Sequence, residues 1–316
     1  MRFALISTVF NEAATLKPWI DRVASQTSHP DEFIIVDGGS KDATVSLLEE
    51  GFGGARFPKP RIIVQRCNIA EGRNIAIRNA TSDIIVSIDA GSQPDSRWFE
   101  EITRPFREDP EIKAVGGFCP AVVTNNLQRR IDRDFPNFDV HIPVGGDCSP
   151  SSRNAAYRRD AWEAVGGYPE WLTLTAEDML FNQLLQFIGI RFYFQPTAIV
   201  AWENRPALRS FLRMMKNYGY GCGEARQAHQ KYFRWLLSVL FPPLLLLSKK
   251  PIQDVPFRFL CNLYSSFGWI SGICFGHRPP PGWKRINGMW ISPQAIATAR
   301  KKSYAPPLIA PDEKFA

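Results

Sequence analysis

The chain opens with short apolar, β-branched runs that alternate with stretches whose apolar residues recur at helical spacing. Residues 3–9, 33–36, 62–65 and 84–88 read as four strands. Between the first two, Leu16, Ile20 and Val23 fall at i, i+4 and i+7, which gives a helix one buried stripe. Strands alternating with helices in this way predict crossover units and a parallel sheet. Ser40 follows Gly38-Gly39 and precedes Val45, Leu47 and Leu48, so it is expected to cap the next helix by accepting an unpaired N–H. Asp95, just after Pro94, is expected to start a helix carrying Trp98, Phe99 and Ile102.

The pattern becomes irregular near Gly145-Gly146-Asp147 and Ser149-Pro150-Ser151-Ser152, a loop composition that often carries function, before the apolar-periodic segment 155–165. A helix over 178–188 and short strands over 192–194 and 198–201 follow. Beyond Trp202 the chain turns basic and aromatic. Residues 235–247 are mostly apolar, but they are interrupted by Pro242-Pro243 and fall short of the ~20 residues that a membrane span requires. Residues 257–275 are longer, yet Arg258, Asn262 and several serines and glycines make them a weak spanning candidate. The Pro-rich end from Tyr304 predicts no regular structure.

Composition sharpens this division. With 316 residues and 45% hydrophobic content, the chain can bury one large core with an appendage. The six cysteines lack any Cys-x-x-Cys pair, which argues against a zinc cluster or disulfide framework and for a reducing compartment. The first ten residues lack the long apolar stretch of a signal peptide, so the catalytic part is expected on the cytoplasmic side, peripheral on the inner face of the membrane. Net charge is +7, but residues 1–204 carry 21 Lys/Arg against 27 Asp/Glu, while residues 205–302 carry 16 against 2. A basic segment interleaved with Phe, Tyr and Trp predicts an anionic membrane surface as partner. A nucleic-acid surface would have no use for the apolar strip at 236–247. A basic subdomain packed on the core, or used for homo-oligomerisation, is the alternative.

The chemistry-bearing residues cluster at the expected strand ends. Asp37 closes the second strand before Gly38-Gly39-Ser40, where an open parallel sheet places its ligand crevice. Taken alone, it reads equally as a turn-capping acid. A dehydrogenase would need a Gly-x-Gly-x-x-Gly turn after the first strand, and Ser7-Thr8-Val9-Phe10-Asn11-Glu12 stands there instead. A nucleotidyltransferase would need a phosphate-gripping Gly-rich loop in the same region, and none is present. A non-catalytic nucleotide-sugar or glycan-binding protein remains a second class.

Two longer runs, Ile6-Ser7-Thr8-Val9-Phe10-Asn11-Glu12 and Ile34-Ile35-Val36-Asp37-Gly38-Gly39-Ser40-Lys41-Asp42-Ala43-Thr44, together resemble the opening of family 2 glycosyltransferases with the GT-A fold. Gly72-Arg73-Asn74, Ser87-Ile88-Asp89-Ala90-Gly91, Gly166-Gly167-Tyr168-Pro169-Glu170 and Glu177-Asp178 follow in matching order, so the resemblance covers about residues 1–213. It implies a Rossmann-type, mainly parallel α/β sheet over residues 1–204. A basic helical membrane-docking region over 205–302 and an irregular tail over 303–316 would follow.

The resemblance also implies site roles. Thr8, Glu12 and Asp37 would hold the nucleoside of a nucleotide-sugar donor, a UDP-sugar first, with Arg73 and Asn74 near the nucleotide. Asp89 stands where the family has an Asp-x-Asp pair that grips Mg²⁺ or Mn²⁺, but the second acid is Gly91. Mg²⁺ can bind through one carboxylate plus phosphate and water, so Asp89 is the candidate metal ligand. Where the family often supplies a histidine, Trp202 and Glu203 stand. Asp178 matches the catalytic base of inverting transfer and Glu177 its acceptor-orienting neighbour. Ser149, Ser151, Ser152, Arg153 and Asn154 would line the acceptor side, with Arg153 or Arg158 countering a phosphate on a lipid-linked glycan. Tyr218-Gly219-Tyr220-Gly221, between Arg213 and Lys216 on one side and Gly223 on the other, is expected to be a mobile segment closing over the diphosphate.

Overall fold

The structure, a computed structural model, describes residues 1–52, 57–135, 142–247 and 251–301. The tail expected from Tyr304 lies outside the described residues. The alternation read from the sequence appears as β1 (Phe3–Val9), α1 (Ala13–Ala24), β2 (Glu32–Asp37), α2 (Thr44–Gly51), β3 (Arg61–Val64), α3 (Ile69–Asn79) and β4 (Ile84–Ser87). The short β5 (Gln93–Pro94), α4 (Trp98–Glu108), β6 (Ala114–Phe118), β7 (Ala121–Val122), α5 (Asn126–Asp134) and β8 (Asp147–Cys148) come next. They are followed by β9 (Ala155–Arg158), α6 (Arg159–Val165), α7 (Glu177–Phe187) and β10 (Phe192–Glu203).

The main sheet runs β3-β2-β1-β4-β9-β6-β10-β5, with β7 and β8 also paired to β10. Strands β1 to β4 are mutually parallel, whereas β9 runs antiparallel to both β4 and β6. Side chains alternate across the sheet, because successive residues of a strand point to opposite faces. Ala4, Ile6, Ile34 and Val36 join the core beneath α3, α6 and α7, while Phe3, Leu5, Phe33 and Ile35 join the core beneath α1, α2 and α4. Burying a residue such as Leu16 or Ile77 in these layers contributes about 1.5–3 kcal/mol.

Three local expectations are corrected. Ser40 caps no helix: its Oγ accepts from the Asn11 N–H at 2.8 Å, and α2 begins four residues later, at Thr44, without a side-chain cap. Asp95 lies one turn ahead of α4 and accepts from the Arg97 N–H at 3.0 Å. The two strands expected over 192–201 are one strand, β10, whose register against β6 shifts between Gln195 and Ile199.

After β10 come α8 (Leu208–Glu224), α9 (His229–Leu240) and α10 (Val255–Phe275). The Tyr218–Gly221 stretch is not a mobile closure but part of α8. Its glycines have a packing cause. A Cβ on Gly219 would lie 2.1 Å from the Ser265 carbonyl oxygen, and one on Gly268 would lie 2.0 Å from that of Lys216. Gly223 and Gly272 repeat this contact one turn on, so two Gly-x-x-x-Gly faces bring the backbones of α8 and α10 together. Among the described residues no helix is long and apolar enough to cross a membrane.

The chain then returns to the sheet domain. The hairpin β11 (Lys284–Ile286) and β12 (Met289–Ile291) leads into α11 (Pro293–Lys301). Met289, Ile291, Ala295 and Ala299 complete the core beneath α6 and α7, and the Ser292 hydroxyl donates to the Val165 carbonyl. The basic region is therefore divided: α8 to α10 form the appendage, while residues 289–301 pack on the sheet domain.

Candidate active site

Because β1, β2 and β4 are parallel, their carboxyl ends share one rim. Antiparallel β9 starts at that rim, with Ala155 opposite Ser87. Thr8, Asp37, Asp89 and the segment 152–154 are thereby delivered to one edge. Helix α7 enters from Ala176, whose φ of +74° turns the chain so that Glu177 and Asp178 begin the helix there.

Asp37 is fully buried. Its Oδ1 accepts from the Gly39 and Ser40 N–H groups at 2.9 and 2.8 Å, so the acid does fasten its turn. Its Oδ2 is buried without a hydrogen-bond partner among the described residues. Thr8 is half-buried and packs against α3, where a Cβ on Gly72 would lie 3.0 Å from its methyl. Glu12 precedes α1 and accepts from the Thr15 hydroxyl at 2.7 Å; its carboxylate and that hydroxyl back the open side of Gly91.

Arg73 is the centre of the site. Helix α3 starts with a capping box between Asn68 and Glu71, and this orientation buries Arg73 to 3% exposure. Its Nη1 donates to Glu177 Oε1 at 2.5 Å and its Nη2 to Asp89 Oδ1 at 3.0 Å. Its guanidinium also lies 5.4 Å from the Tyr168 ring centroid. Burial opposes its charge, but Glu177 and Asp89 outweigh that and raise its pKa, so it is a permanent cation. Glu177 responds differently. Burial and then the neighbouring Asp178 push its carboxyl up to about 7, against the pull of Arg73.

Asp178 is half-buried. Its Oδ1 accepts from the Met179 N–H at 2.8 Å, while Oδ2 has only a long 3.4 Å approach from the Ser152 N–H. One carboxylate oxygen is therefore lightly engaged and able to accept a proton. Arg153 completes the group, with Nε 3.9 Å from Asp89 Oδ2 and its guanidinium 4.2 Å from the Trp202 ring centroid. It also bonds the Ser151 hydroxyl and the Tyr218 hydroxyl. Flanked by an indole and two hydroxyls, this cation is held in place over the rim.

Several expected residues serve as supports and do not face the cleft. Asn74 is buried, donating to the Tyr168 carbonyl and Glu170 and accepting from Trp162 Nε1 and the Tyr168 N–H. With its amide fully used, it fixes the Gly166–Glu170 turn. Asn154 is likewise buried, accepting from Trp98 Nε1 and donating to the Phe118 and Ala198 carbonyls. The Ser152 hydroxyl is buried 3.0 Å from that of Tyr168. Arg158 donates to the Ile112 and Pro110 carbonyls, away from the rim. Glu203 accepts from Gln128 and holds α5. Sequence reasoning assigned no site role to Tyr168, named Trp202 only as standing in place of a histidine, and took Tyr218 as part of a mobile closure and not as a fixed partner of Arg153. Their aromatic character was visible, but what they pack against depends on distant elements.

A cation site was tested on the same residues. Among the described residues there is no group of three His, Cys, Asp or Glu side chains able to hold a metal. Asp89 Oδ2 is the carboxylate edge not bonded by Arg73, with Arg153 Nε 3.9 Å away, so a divalent cation there would have one protein ligand and would draw its other ligands from phosphate and water. This arrangement fits Mg²⁺ or Mn²⁺ bound together with a diphosphate, and not a pre-formed metal centre.

A mainly parallel sheet whose strand ends gather carboxylates and arginines, faced by an acid at a helix start, defines the GT-A class of glycosyltransferase folds. Residues 4–166 match the family model described as Glycosyl transferase family 2, just over half the chain, and the protein belongs to that family. It is 28% identical over 213 residues to the O-antigen chain rhamnosyltransferase RfbN of Salmonella typhimurium, covering 63% of this chain. The chain spans 66% of that relative's length. In fold it is similar to residues 1–349 of TarS from S. aureus in complex with UDP, with a TM-score of 0.55, 13% identity and coverage of 92% of this chain and 96% of that one. It is also similar to the mannosyltransferase PcManGT from Pyrobaculum calidifontis in complex with GDP-Man and Mn²⁺, with a TM-score of 0.54, 16% identity and coverage of 96% and 79%.

Proposed function

We propose that the protein is an inverting glycosyltransferase that moves a sugar from a nucleotide-diphosphate sugar, a UDP-sugar first, to a hydroxyl of a lipid-linked glycan in surface polysaccharide synthesis. The observation that carries this reading is the bridge from Asp89 through Arg73 to Glu177, beside Asp178, at the carboxyl rim of the sheet. Asp37 fastens the Gly38–Ser40 turn at the nucleoside end of the rim, and Arg153 sets a fixed positive charge beside the diphosphate. Asp178 takes the acceptor proton as the hydroxyl oxygen bonds to the anomeric carbon. The bond from that carbon to the phosphate oxygen breaks on the opposite face, and the electron pair leaves with the nucleoside diphosphate. Arg73 touches no ligand in this account but holds Asp89 and Glu177 in register. A divalent cation held by Asp89 would offset charge building on the leaving diphosphate.

Exposed apolar residues on the appendage support a membrane partner. Leu247 and Phe275 are 80% and 81% exposed, and Phe241, Leu246, Ile252 and Phe267 are also exposed on the same three-helix unit. Lys216 lies 4.9 Å from the Phe267 ring centroid, which sets a cation beside exposed apolar surface as at a headgroup boundary. Thermal-shift screening of nucleotide sugars, each with EDTA, Mg²⁺ or Mn²⁺, tests donor and metal together. Selective stabilisation by one nucleotide sugar, increased by metal, is expected. A screen in which no nucleotide sugar stabilises the protein overturns the reading.

A further inference from the structure

A second cavity lies between the end of α8, the loop after α10 and the β11–β12 hairpin, with a volume of about 490 Å³. It shares no lining residue with the rim described above. Its polar lining is cationic or aromatic, with Arg226, His277 and Arg278 beside Trp283 and Trp290, and no carboxylate lines it. The nearby acid, Glu224, is buried and already accepts from the Thr173 N–H, the Thr173 hydroxyl and the His277 N–H. The two arginines form no ion pair with any described residue. Glu224 also lies 3.1 Å from the His277 ring nitrogen, so among the described residues it is the two guanidinium groups whose charge meets no carboxylate.

The walls are rigid before any ligand arrives. Pro279, Pro280 and Pro281 fix the loop backbone and contribute no N–H groups. Trp283 is packed edge-on against Trp171, with centroids 5.8 Å apart at 81°. Arg285 of the hairpin donates to the Arg226 carbonyl, which ties two walls together. A cavity of this size matches a ligand of one or two sugar rings. Indole faces accept the weakly positive C–H face of a pyranose, and unpaired guanidinium groups grip carboxylate or phosphate through parallel donors.

We infer that this cavity is a binding site for an anionic saccharide, a sugar carrying a carboxylate or phosphate, separate from the donor cleft. The site also has a path to the chemistry. Trp171, packed on the Trp283 wall, begins the segment 171–176 that leads into Glu177, and Thr173 is held by Glu224 of α8. A saccharide seated on Trp283 and the arginines would therefore bear on the loop that positions Glu177 and Asp178. The inference is read by binding and does not depend on transfer taking place.

The test is ¹⁹F NMR of the full chain labelled with 5-fluorotryptophan, with resonances assigned from Trp283→Phe and Trp290→Phe. Digalacturonate and glucose 1-phosphate are the anionic probes; maltose and inorganic phosphate are the controls. Saturable shifts of Trp283 and Trp290 by an anionic sugar are expected, at least ten-fold weaker in the Arg226→Gln/Arg278→Gln double variant, whose thermal midpoint stays at the wild-type value. The inference is overturned if maltose or phosphate alone binds as tightly, if both resonances stay fixed with both anionic sugars, or if the double variant binds like wild type.

Discussion

Replacing Arg73 with Met removes the cation that bridges Asp89 and Glu177 while keeping much of the side-chain volume and leaving Arg153 3.9 Å from Asp89. The guanidinium is 3% exposed and Glu177 is 6% exposed, so solvent does not take over the hydrogen bond lost at Glu177, whereas Asp89, 23% exposed, keeps some access to water. Three carboxylates, Asp89, Glu177 and Asp178, are then left facing one another around a buried gap. Breaking a buried pair by removing one partner costs about 3–5 kcal/mol, a large share of the ~5–15 kcal/mol that holds a typical domain folded. Adding Glu177→Gln removes the stranded charge, so the Arg73→Met/Glu177→Gln double variant is expected to recover about 2 kcal/mol of that loss. Arg73→Lys should fall between, since one ammonium cannot reach both acids as two guanidinium nitrogens do. Urea unfolding followed by tryptophan fluorescence, analysed as a double-mutant cycle, measures these differences. A loss below about 1 kcal/mol for Arg73→Met, or strict additivity with Glu177→Gln, would refute the view that the bridge is a single electrostatic unit.

Glu177 gives a pH signature. Its folded pKa of about 7 lies above the ordinary 4.5, so the folded state holds this proton more tightly than the unfolded chain. Its contribution to stability is fully present below about pH 4.5 and is lost as pH rises to about 7; the wild-type minus Glu177→Gln difference curve should show that fall and no compensating rise. At the α8–α10 contact, Gly268→Ala places a methyl 2.0 Å from the Lys216 carbonyl oxygen, against backbone that cannot move aside as a side chain would. It should lower stability by about 1–3 kcal/mol, read as a reduced thermal midpoint, and an unchanged midpoint would contradict the packing account. Sedimentation with vesicles containing anionic lipid should weaken several-fold in Leu247→Ser/Phe275→Ser, and binding at the wild-type level would contradict docking through these exposed side chains.

Legibility in the sequence followed the range of the interactions. The four leading strands and α1 could be read because their signals are local: β-branched runs and one apolar stripe set their own geometry. Ser40 misled because a Ser after two glycines suits a cap, yet Asn11 from another loop claimed its oxygen. Tyr218–Gly221 misled for a related reason. Glycine marks both hinges and close helix contacts, and the Ser265 backbone that decides between them lies 46 residues from Gly219. At the site, Asp37 was marked by its strand end, and Asp89 and Asp178 by the resemblance to the family. The roles of Asn74 and Asn154 were not, because each amide is saturated by partners that only the folded chain brings near. Arg73 was expected near the nucleotide from the family resemblance, whereas its bridge between Asp89 and Glu177 required α7 to be placed against α3.

Transfer to acceptor by Asp178→Asn, assayed beside wild type with donor affinity measured in parallel, bears most directly on the central claim. Loss of the proton acceptor should reduce turnover by about 10²–10⁴-fold while nucleotide-sugar binding stays within about two-fold of wild type. Turnover at the wild-type rate with donor binding intact would mean that the proton leaves by another route and that the acid at the head of α7 is not the base.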